Sequence, residues 1–173
     1  MDFYGTVFET IDMRSFSNLW FWIMLAVIWS TASHWVLGVP FDMVGRAQKH
    51  GGQAEADLEV LATINANRIL FIADEAGLAF VGLGSAILTA LALLGFSYER
   101  EFAQAVFLLA LPLSGVALLS VMTARRIRAG ENTGAALRRR MRRHRIAVQG
   151  IGLVSIFFTA LWGMYQNLAA PFL

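Results

Sequence analysis

Apolar residues run in four long stretches, at 18–37, 69–96, 102–123 and 146–165, separated by polar or strongly charged segments. Leu, Ile, Phe, Ala and Gly dominate these stretches, without the apolar–polar alternation of a strand. A helix rises about 1.5 Å per residue, so about 20 residues cross a hydrocarbon layer of about 30 Å. In lipid each backbone group must bond within its own segment, which helices achieve. The pattern predicts an all-α polytopic membrane protein. Four transmembrane helices would form one domain over residues 1–173, with intervening segments at 38–68 and 124–145.

Helical periodicity continues beyond the apolar stretches. Leu58, Leu61 and Ile64 recur at helical spacing after Gly51 and Gly52, predicting an amphipathic extension that runs unbroken into the second span. Leu137, Met141, His144 and Val148 form a similar stripe leading into the fourth. Near the start, Phe3, Val7, Phe8 and Ile11 share one helical face, as an interfacial helix would. Pro112 removes one backbone bond from the third stretch and predicts a kink there.

Charge adds direction. Nine of the fourteen basic residues fall at 125–145 beside a single acid, Glu131, so that window is net +8 while the rest of the chain is −6. The segment at 38–68 adds Arg46, Lys49 and Arg68, whereas 97–101 holds only Arg100 and the start only Arg14. Alternate connections are thus rich and poor in basic residues, and the positive-inside rule puts the rich ones in the cytoplasm. Both termini are expected outside. The first stretch follows Asp2, Glu9 and Asp12 rather than a basic start, so it reads as a retained span and not a signal peptide.

Chemistry is sparse. The chain has no cysteine, which removes disulfides, thiolate metal ligands and thiol nucleophiles together. Phosphate-binding loops, zinc-ligand spacings and nucleophile elbows are absent, so no metal, cofactor or catalytic activity is expected. The strongest candidate surface is Arg125, Arg126, Arg128, Arg138, Arg139, Arg140, Arg142, Arg143 and Arg145. Guanidinium groups at that density suit anionic lipid headgroups first and an acidic partner second. Nucleic acid is disfavoured because base-stacking aromatics are missing from the run.

Three polar residues near the cytoplasmic ends of spans form a second candidate group: His34 in the first, and Asp74 and Glu75 in the second. Arg68 stands seven residues before Glu75, on the same helical face. Interfacial placement is the plainer reading. A carboxylate–histidine pair across two helices could instead bind or relay a proton, which would suit a small oligomeric transporter or proton conductor. Small residues at four-residue spacing, Gly77, Ser85 and Thr89 in the second span and Ser155, Thr159 and Gly163 in the fourth, predict close helix packing.

The opening DFYGTVFETIDMRSFSNLWFWIMLAVIWSTASHWVLGVPFDMV and the later INANRILFIADEAG resemble a family of small bacterial inner-membrane proteins of about this length. Members are often labelled as a component of the Suf-type iron–sulfur cluster assembly complex. The resemblance implies a multi-pass protein of the bacterial inner membrane linked to iron–sulfur biogenesis. Together these readings predict a non-enzymatic accessory or assembly protein, acting through helix packing and the arginine-rich segment. Its expected partners are anionic headgroups and another membrane or cytoplasmic protein, or a second copy of itself.

Overall fold

The computed structural model describes residues 15–169; the interfacial helix expected from Phe3, Val7, Phe8 and Ile11 lies outside them. A short turn at Ser15–Ser17 leads into α1, Leu19–His34. Asn18 caps it, its side-chain oxygen accepting from Trp20 N at 3.0 Å. Then come a minimal hairpin of β1 (Trp35–Val36) and β2 (Val39–Pro40), α2 (Phe41–His50) and the long α3 (Gly52–Ala92). A π-helical turn at Leu93–Ser97 leads to α4 (Glu101–Arg128), and α5 (Gly134–Ala169) completes an all-α molecule.

The first apolar stretch does not stay helical to Leu37. Leu37 and Gly38 both take positive φ, +54° and +74°, and Val36 pairs with Val39. Those are the angles of a two-residue hairpin turn matched to strand twist. Leucine tolerates this conformation poorly. Here its side chain is buried in the core, which offsets the cost. Gly38 lies so close to the Asn65 amide that a Cβ would sit 3.3 Å from it.

α3 has 41 residues, about 60 Å of unbroken helix. It realises the continuous extension that the periodicity predicts, but its buried face is rotated. Leu58, Ala62, Ala66 and Leu70 are buried at strict four-residue spacing, whereas Ile64 faces outward. Alanines on the contact face let neighbouring helices approach closely, and hydropathy gives them little weight. The segment at 124–145 is also helical, apart from five residues between α4 and α5.

α3 and α4 form an antiparallel hairpin, α4 packs on α5, and α5 packs on α1. The main apolar cluster lies at one end of this layer, which we call the basic end. It gathers the hairpin, α2, the first half of α3, the last turns of α4 and the first turns of α5. The two segments read from sequence as connections thus combine into a folded cap.

Beyond the cap, apolar surface faces outward. Three helices are long and apolar enough to cross a membrane: Gly52–Ser97, Glu101–Arg128 and Gly134–Leu168. None of the apolar window of the first is buried. A chain turning this much apolar surface outward is suited to lipid and not to water. The chain is membrane-embedded. α1 has sixteen residues, about 24 Å, and falls short of a full crossing by length alone.

Candidate contact surface at the basic end

The nine arginines are not equivalent, because α3 supplies acids to some and not to others. At the start of α3, Glu55 pairs with Arg138, and Glu59 Oε1 accepts from Gly134 N at 2.7 Å. The Glu59 carboxylate thus occupies the N-terminus of α5, where unpaired N–H groups and the helix dipole favour negative charge. Between α4 and α5, Glu131 takes a two-pronged contact from Arg140, one prong being Arg140 Nη2 to Oε1 at 2.7 Å. That hydrogen bond, then the charges of Arg140, Arg126 and Arg143, hold Glu131 below the usual carboxylate range. The same contact raises Arg140.

Arg128 reaches Asp74 at 3.6 Å, with both side chains more than half exposed. An exposed pair of this kind stabilises by about 1 kcal/mol at most. Its value is positional: it sets Asp74 level with the last residue of α4, and Leu70, one turn earlier, already belongs to the cap core. Arg145 lies over the Phe41 ring, 4.0 Å from its centroid. The remaining five, Arg125, Arg126, Arg139, Arg142 and Arg143, are exposed and have no ion-pair partner among the described residues.

His34 is exposed and contacts Trp35 edge-to-face, with ring centroids 6.0 Å apart. It forms no ion pair with Asp74 or Glu75 among the described residues, and neither do Arg68 and Glu75 with each other. Of that polar group the structure joins only Asp74, and it joins it to Arg128.

The small residues divide by helix. Ser155, Thr159 and Gly163 are buried on α5 against α1. Trp29 lies on Gly152, where a Cβ would come within 2.7 Å of the indole, and Phe16 and Trp22 lie on Gly163. The Ser155 and Thr159 hydroxyls have no hydrogen-bond partner among the described residues. Gly77 is half-buried, while Ser85 and Thr89 on α3 face outward.

Two polar contacts went unread in the sequence. His144, already in the predicted stripe, shares a 2.9 Å hydrogen bond with Thr123 Oγ1 through Nδ1. Burial pushes His144 down to about 4, so the ring is neutral at ordinary pH. A hydroxyl beside a neutral imidazole has the components of a nucleophile–base pair, but both residues are sealed between α4 and α5 and join helices instead.

At the opposite end, Gln104 is buried and bonded through both atoms of its amide. Its Nε2 donates to Gly95 O at 2.8 Å, and its Oε1 accepts from Trp162 Nε1 at 2.9 Å and from Gln166 Nε2. Glu101 accepts from Phe16 N at 2.6 Å, and Trp22 Nε1 donates to Phe16 O at 3.0 Å. A lone amide inside an otherwise apolar stretch was the available signal for this cluster. Among the described residues no group of three or more potential metal ligands comes together.

No family model, curated protein or solved structure matches the chain.

Proposed function

We propose that the chain is a non-enzymatic accessory or assembly protein of the bacterial inner membrane, with the basic end as its contact surface in the cytoplasm. The observation that carries this reading is the surplus of guanidinium groups. Three of the nine arginines are committed to acids within the fold and one to a ring, leaving five without an ion-pair partner among the described residues. A folded cap carrying unneutralised charge suits binding.

Four crossings with both termini outside complete the proposal. α1 runs antiparallel to α5, with Trp29 at Gly152 and Trp22 at Gly163, so the two helices share most of one span's depth. The arginine asymmetry supports a cytoplasmic cap. The resemblance of the opening segments supports a link to iron–sulfur cluster assembly. With no cysteine, the chain would serve protein partners there rather than hold a cluster through thiolates.

Purification from native membranes in mild detergent, followed by mass spectrometry, tests the reading. A recurrent stoichiometric protein partner or a defined homo-oligomer is the expected result. A consistently partner-free monomer contradicts it.

A further inference from the structure

The exposed faces of α4 and α5 change character along their length without changing direction. On α5, outward-facing Leu153 and Ile146 are followed on the same stripe by Arg143, Arg142 and Arg139. On α4, exposed Leu118 and Met122 give way to Arg125 and Arg126. Arg143 and Arg142 stand three and four residues before Ile146, about 4.5–6 Å at a helical rise. The polar layer outside the hydrocarbon is about 5–8 Å deep on each side. With Ile146 opening the apolar stretch, the arginines fall within the depth of that polar layer.

The two sets also converge. Only five residues separate α4 from α5, and Ala124 and Ile127 of the one share the cap core with Leu137 and Met141 of the other, so the arginines that follow both stripes lie at the same end. Glu131 is engaged by Arg140 and leaves Arg126 and Arg143 without an ion-pair partner among the described residues. A ligand that fits has two parts: an anionic group for the guanidiniums and an apolar chain for the stripes beside them. An acidic peptide supplies only the first part.

We propose that Arg125, Arg126, Arg139, Arg142 and Arg143 form a binding surface for anionic phospholipid headgroups, with the acyl chains along the exposed stripes of α4 and α5. The proposal rests on the cytoplasmic placement of the basic end and deepens the accessory reading by naming the lipid class. Each guanidinium offers two parallel N–H donors to one phosphate. Arg138 and Arg140 are excluded by their ion pairs within the fold. Nonspecific attraction by a basic cap would make all these arginines equivalent, and the proposal does not.

The test uses the full chain in neutral detergent, titrated with phosphatidylglycerol or phosphatidylcholine of matched acyl chains, with bound lipid counted by native mass spectrometry. The wild-type chain is expected to retain phosphatidylglycerol over phosphatidylcholine by about tenfold or more. The triple variant Arg139→Gln, Arg142→Gln, Arg143→Gln should lose about tenfold of that retention with thermal stability unchanged. Lysine at the same three positions keeps the charge and most of the preference. Arg138→Gln should lower stability and leave the preference in place. Absence of a preference in the wild type, or equal loss from Arg138→Gln and the triple variant, overturns the proposal. Loss of a co-purifying acidic protein in the triple variant, with no lipid preference in the wild type, overturns the lipid assignment and leaves the accessory reading standing.

Discussion

The two ends of the helical layer are closed by opposite means. At the basic end, an apolar core is ringed by ion pairs, and among the described residues five of the nine arginines stand outside those pairs and the Phe41 contact. At the far end, closure comes from neutral hydrogen bonds to Gln104 and from edge-to-face rings, Phe96 against Phe107 at 5.6 Å and against Trp162 at 5.4 Å. One end gathers arginines beyond those its acids engage, and the other is joined mainly by uncharged groups. This difference is what the proposal of a contact surface at the basic end rests on. Between the ends, the helices turn apolar side chains outward and contribute little burial of their own.

The largest effect expected from this contrast separates cap from membrane surface along a single helix. Leu58 is fully buried, and Leu58→Ala should cost about 2–5 kcal/mol, whereas Leu78, 90% exposed, should cost less than about 0.5 kcal/mol on truncation. Thermal unfolding in detergent measures both, and similar losses would remove the distinction between the two halves of α3.

The buried imidazole of the cap gives the next effect. His144 titrates near 4 in the fold against about 6.5 when unfolded, so between those values the unfolded chain binds the extra proton. Stability is full above about pH 6.5 and declines as the pH falls toward 4, by up to about 3 kcal/mol. Unfolding followed from pH 8 to pH 4 should show this slope, and His144→Gln should flatten it.

At the far end, Gln104→Leu strands the Trp162 indole and the Gln166 amide without their acceptor and should cost about 1–3 kcal/mol. Tryptophan emission reports the change locally. The smallest effect belongs to the exposed Asp74–Arg128 pair, where Asp74→Asn should cost about 1 kcal/mol or less and fade with added salt.

Much of the fold was legible because apolar length and arginine clustering are local properties of the chain. The hairpin at Leu37 was not, since Val-Leu-Gly-Val extends an apolar run whether the backbone is helical or turned. The buried face of α3 was misplaced because Ala62 and Ala66 carry the contact, and their importance depends on the neighbours they admit. The arginines were legible as a group but not as individuals. Arg138 and Arg139 are adjacent, yet Arg138 meets Glu55, 83 residues away, and Arg139 meets no acid among the described residues. Gln104 was missed for the same reason: Trp162 and Gln166 come to it from 58 and 62 residues away.

The absence of cysteine makes the central claim, a cytoplasmic basic end, directly measurable. Single cysteines at Thr133, in the turn between α4 and α5, and at Tyr98, at the far end, can be probed in intact cells with a membrane-impermeant maleimide. Tyr98→Cys should label from outside, and Thr133→Cys only after the inner membrane is permeabilised. Labelling of Thr133→Cys in intact cells, with Tyr98→Cys protected, would put the arginine surface on the wrong side of the membrane and contradict the account.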